Sequence, residues 1–133
     1  MKLEDTDHRL LALWAADCAE HVLVKFGTHV PDDARPRQAI WSARAWERGD
    51  LSVPQARAAA FAAHAAAREA RGALATAAAR AAGHAAAAAH VVTHARHAAT
   101  YARKAAGGDA ASEWEWQLQS LPDRLRAFVV PAD

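Results

Sequence analysis

The sequence predicts an all-α fold: a compact, alanine-rich bundle of about five or six helices, forming a single helical domain over residues 1–133. Three observations carry that expectation. The stretch from Arg57 to Ala106 is more than half alanine, the residue of highest helix propensity and a poor strand former. Apolar residues outside that stretch recur at helical spacing. Caps, glycines and prolines punctuate the segments. Alanine faces let two helix axes approach to the short end of roughly 8–10 Å, but they bury little area. Larger side chains near the two ends of the chain must therefore supply most of the hydrophobic free energy.

Taken in order, Asp5-Thr6-Asp7 offers an N-cap and an acidic first turn, favourable against the helix dipole. A first helix is expected from about Arg9 to Lys25, stopped at Gly27. Its apolar stripe is Leu11, Trp14 (or Ala15), Cys18, Val22 and Phe26. On its flank Asp17 stands one turn before His21, the spacing of a surface ion pair. Asp33 is a candidate cap for a second helix, Arg35 to Arg48, ended by Gly49, with Ala39, Ile40, Ala43 and Trp46 inward. Ser52 and Pro54 start a third, which carries Arg57, Phe61, His64 and Arg68 on one stripe. Gly72 and Gly83 are expected to interrupt the alanine stretch. A fourth helix runs from Ala73 to about His90, and a fifth, or its continuation beyond Val91-Val92-Thr93, runs to Ala106. Gly107-Gly108 is a firm stop. A short helix through Glu113–Leu118 ends before Pro122, and Asp123 caps a last turn to Phe128. Trp114 and Trp116 cannot share one helix face, so one points outward unless another segment covers it.

Bulk properties exclude several classes. Sixteen lysines and arginines stand against fifteen acids, a formal net charge of +1, with no bias toward nucleic acid or anionic membrane. Cys18 is the only cysteine, so an intrachain disulfide is excluded and a reducing, cytoplasmic location fits. The acidic start Met1–Asp5 lacks a signal-peptide pattern, and the alanine runs are too weakly apolar for membrane spans. No glycine-rich phosphate loop or nucleophile elbow occurs, so the chain does not read as an enzyme and no cofactor is expected.

Two constellations remain. Arg37, Trp41, Arg44 and Arg48 fall on one helical stripe, the composition of a protein-contact surface; the plainer reading tucks Trp41 under a neighbour. The Trp114/Trp116 end is a second candidate surface. His90 and His94, one turn apart, could chelate a transition metal with Cys18, His21 or His64 as a further ligand, although the chain has no His-Glu-x-x-His motif.

The segments Leu13–Leu23, Pro31–Ile40, and Ala81-Ala82-Gly83-His84 through His90-Val91-Val92-Thr93-His94-Ala95 resemble the bacterial immunity protein family of the Imm-5-like type, as does Glu115-Trp116-Gln117 with Leu121-Pro122 and Leu125-Arg126. The likeness covers nearly the whole chain, with Val92 where the family pattern has a proline. It implies an antitoxin-like protein that binds a cognate toxin domain by stoichiometric occlusion, with no catalytic residues.

Overall fold

The computed structural model describes residues 2–130, in helices, turns and loops with no strand. The helices are α1 (Asp5–Val22), α2 (Val24–Gly27), α3 (Arg35–Glu47), α4 (Val53–Glu69), α5 (Ala73–Ala87), α6 (His94–Ala106), α7 (Ala110–Gln119) and α8 (Asp123–Val129). Six of these have ten residues or more; α2 and α8 are short. The chain is thus the all-α bundle that its sequence predicts. None of these helices is long and apolar enough to cross a membrane.

At the centre stands α5, which packs against α4 and α6 and also touches α1, α2 and α3. Nine of its fifteen residues are buried, a helix enclosed on almost every side. Alanine makes this possible, because a rod with such short side chains lets many neighbours close on it at once. Thr76, Arg80 and His84 are half-buried, and Leu74 is exposed at its first turn. The large apolar side chains lie where composition demands. Leu11, Trp14, Cys18, Val22 and Phe26 of α1 and α2 are buried, as are Ile40 of α3 and, near the other end, Leu121, Leu125 and Val129. Leu11, Phe26 and Leu125 are among the largest fully buried residues, and burying each such side chain contributes about 1.5–3 kcal/mol.

The expected helix starts and stops shift in places for identifiable reasons. α1 begins at Asp5 rather than Arg9, with Glu4 at the N-cap; Asp7 accepts the Glu4 N–H at 3.0 Å. The same carboxylate takes a hydrogen bond from Arg124 of α8, which joins the two ends of the chain. Ser52 caps α4 as expected, accepting from Gln55 N at 3.3 Å while Gln55 Oε1 accepts from Ser52 N at 2.9 Å. Gly72 separates α4 from α5 with φ +93°, a backbone region that L side chains rarely enter.

Gly83 does not interrupt the helix. It lies inside α5, and the space a Cβ would need is filled by the His64 imidazole, 2.7 Å from that position. The chain does break between Ala87 and His94, with no proline there. His90 N–H donates to Ala87 O and His94 N–H to Val91 O, both at 3.0 Å, and His8 of α1 donates through Nε2 to Ala88 O at 2.6 Å. Gln117 of α7 is fully buried and clamps three helices together. Its Nε2 donates to Ala99 O at 3.0 Å, its Oε1 accepts from Arg103 at 2.9 Å, and its backbone carbonyl accepts from Trp14 Nε1 at 2.7 Å.

Candidate functional site

The inward face of α3 is set by Ala39, Ile40 and Ala43, all buried, so the stripe of Arg37, Trp41, Arg44 and Arg48 turns away from the core. Trp41 is 55% exposed. It is therefore not tucked under a neighbour, and its indole borders a cavity of about 190 Å³ between α3 and α1, lined also by Leu23, Ile40 and Glu20. The four stripe residues are not equivalent. Arg44 is half-buried and bridges to α1, donating to Glu20 at 2.8 Å and Asp17 at 2.9 Å. These contacts raise the Arg44 pKa and hold the Glu20 carboxyl below its ordinary value. Arg48 pairs with Asp50 at 3.1 Å. Arg37 is exposed, and among the described residues no carboxylate pairs with it.

α7 lies where α1 and α6 can each receive one of its tryptophans. Trp116 stacks on His21 of α1, centroids 3.8 Å apart and 15° between planes. His21 Nδ1 in turn meets the buried Glu113 carboxylate at 2.7 Å, so this nitrogen donates. Asp17 pairs with Arg44 and His21 with Glu113, in place of the expected Asp17–His21 pair. Trp114 turns the other way, under the Arg103 guanidinium at 4.2 Å. Both tryptophans are thus partly covered by other segments. The exposed edge of Trp116 borders a hollow with Asp17, Glu20 and His21, and Glu20 also lines the Trp41 cavity. The two surfaces that the sequence offers separately therefore meet at the Arg44–Glu20–Asp17 bridge. Trp114 is not part of that face.

The metal ligand set does not assemble. Cys18 is fully buried in the core, and burial pushes its thiol pKa well up, with the Glu113 and Asp17 charges adding to this. It is thus a neutral thiol enclosed by the core. His21 is held by Glu113, His90 is exposed, and His94 Nδ1 hydrogen-bonds His84 Nδ1 at 2.8 Å. Among the described residues no group of three or more His, Cys, Asp or Glu side chains is placed to hold a metal ion. The α5–α6 hairpin instead carries a histidine cluster. The His84 ring centroid lies 4.9 Å from that of His64, 5.0 Å from His94 and 5.3 Å from His97, and stacks on Tyr101 at 5.2 Å.

Comparison with protein-family models matches residues 1–124, from before α1 into α8, to the Imm-5 like putative immunity protein family. The chain belongs to that family. No curated protein and no solved structure matches it.

In this Imm-5-like chain, sequence reasoning missed Glu20, Leu23 and Asp17 as part of the Trp41 face. Asp17 and Glu20 are legible as a polar side of α1, with Leu23 just past its end, but nothing local reveals that Arg44 of another helix lies across from them. It also missed His84 as the hub of the histidine cluster. Gly83 was the available signal, since a glycine within an alanine helix costs about 1 kcal/mol relative to alanine and marks a place where another group approaches closely.

Proposed function

We propose that this Imm-5-like protein protects its own cell by binding a cognate bacterial toxin domain in the cytoplasm and occluding it stoichiometrically, without catalysis. The observation that carries the choice of face is Trp41, a large aromatic 55% exposed beside a groove. Exposing an indole costs hydrophobic free energy in the free protein and offers an anchor to a partner; tryptophan and arginine are enriched among residues that dominate binding energy. The Arg44 bridge to Asp17 and Glu20 ties α3 to α1, so the groove is formed before binding and less ordering entropy is lost on association. Arg37 is the cation able to meet an acidic group of the toxin and speed encounter. Its role is distinct from that of Arg44, which fastens the two helices.

Co-expression with a candidate bacterial toxin domain, followed by affinity measurement, tests the reading. Trp41→Ala is expected to leave folding stability within about 0.5 kcal/mol while weakening toxin binding by on the order of 2 kcal/mol, roughly thirtyfold, and to abolish protection of the cell. Arg37→Glu is expected to slow association and flatten its salt dependence. Normal affinity and protection in the Trp41→Ala protein would move the binding face elsewhere.

A further inference from the structure

A second hollow, of about 230 Å³, lies between α4 and the start of the α5–α6 turn and shares no lining residue with the Trp41 groove. Its apolar wall is Ala60, Ala87 and Phe61, the last 63% exposed. Each of its other lining residues, Arg57, His64, His90 and His94, carries a basic group, and among the described residues no carboxylate lines it. Immediately behind, Arg80 donates to His64 Nδ1 at 2.9 Å. A guanidinium is always a donor, so that nitrogen accepts and the His64 proton sits on Nε2.

This region is uncompensated. Elsewhere Arg9, Arg35, Arg44, Arg48, Arg124 and Arg126 each pair with a carboxylate, while among the described residues Arg37, Arg71, Arg96 and Arg103 pair with none. Among the described residues no carboxylate pairs with Arg57, Arg68 or Arg80. Arg57 instead lies over the Phe61 ring at 5.8 Å.

We propose that this hollow is an anion-binding site, taking one carboxylate or phosphate group between Arg57 and the imidazoles of His64, His90 and His94. Charge-assisted hydrogen bonds to a guanidinium are among the stronger polar contacts, and three neighbouring imidazoles add N–H donors. The groups lining the site are Arg57 and His64 from α4, His90 from the turn and His94 from α6; behind them Arg80 contacts His64, and the His84 ring, packed against His97 and Tyr101, contacts His64 and His94. Burial and these positive neighbours hold His64, His84 and His94 below the ordinary histidine range. A bound anion offsets that repulsion, so it favours the protonated imidazoles and the cluster takes up protons on binding.

Titration calorimetry of the full chain with inorganic phosphate, and in a second arm with a hexaglutamate peptide, tests the site. Saturable phosphate binding supports the site and identifies a free anion as sufficient. Binding of the peptide alone supports it with a side-chain carboxylate of a protein partner as the source. In either case Arg57→Gln and His90→Gln, both exposed positions whose folding is checked by circular dichroism, are expected to weaken binding about tenfold, and Arg71→Gln, exposed and outside both hollows, to leave it unchanged. The proposal is overturned if neither probe binds saturably, or if Arg57→Gln and Arg71→Gln bind alike.

Discussion

Replacing Gly83 by alanine should have opposite effects depending on residue 64. At an ordinary mid-helix position the change stabilises by about 0.8–1.0 kcal/mol through backbone entropy and helix propensity. Here the new Cβ would stand 2.7 Å from both Cε1 and Nε2 of His64 and 2.9 Å from its Nδ1, whereas carbon contacts settle near about 3.5–4.0 Å. The imidazole must retreat by close to 1 Å. It cannot do so freely, because Arg80 holds its Nδ1 at 2.9 Å and the His84 ring meets it edge-on at 4.9 Å. Losing a hydrogen bond to a charged group costs about 1.5–3 kcal/mol, which outweighs the helix gain. Gly83→Ala alone is therefore expected to destabilise by about 1–2 kcal/mol. In a His64→Ala background the obstacle is gone, and the same change should stabilise by about 1 kcal/mol. Urea melts of the four proteins of this cycle, with unchanged m-values, give a coupling of about 2–3 kcal/mol. Equal effects of Gly83→Ala in both backgrounds, within about 0.5 kcal/mol, would refute the account of the ring seated on the glycine.

Alanine-to-leucine scanning should show a helical rhythm on α4, where Ala63 is buried and Ala58 exposed: Ala63→Leu should cost about 1–3 kcal/mol in thermal melts and Ala58→Leu under about 0.5. On α5 the rhythm should be nearly lost, since Ala78, Ala82 and Ala86 and the residues between their faces are buried alike. Gln117→Leu should destabilise by about 2–3 kcal/mol, read by urea melts, because the Ala99 carbonyl and Arg103 lose their partner inside the bundle. Stability should also fall on mild acidification. Burial first, then Arg80 for His64 and the neighbouring histidines for His84, lower these pKa values from 6.5 to about 4 and about 3. The unfolded chain thus binds protons below pH 6.5 that the folded chain refuses until near pH 4. At about pH 5 the linkage is roughly 2 kcal/mol per group, reduced to about 1 kcal/mol by solvent on the exposed side of each ring. A His64→Gln, His84→Gln protein should lose most of this slope between pH 7 and 5 in urea melts; an unaltered slope would place its origin elsewhere.

Local chemistry along the chain determined the helices and most of their limits. The Leu11–Phe26 stripe, the Ser52 cap and the turn at Gly72 follow from side-chain periodicity, a hydroxyl near free N–H groups, and a backbone that accepts positive φ, and each acts within a few residues. The family resemblance was legible on the same terms, because it rests on which residues follow one another. The break between Ala87 and His94 was only half legible, since no glycine or proline enforces it and it is held partly by His8 from another helix. What only the tertiary structure decided are pairings between helices: Arg44 with Asp17 and Glu20, His21 with Glu113 beneath Trp116, and His64 on Gly83. A helix face specifies which residues turn the same way but not what stands opposite. With alanine on so many faces, few side chains are large enough for their shape to name a partner. Trp41 shows both sides of this. Its place on the outward stripe of α3 could be counted from the sequence. Its exposure depended on no other helix covering that stripe, which is a property of the assembled bundle.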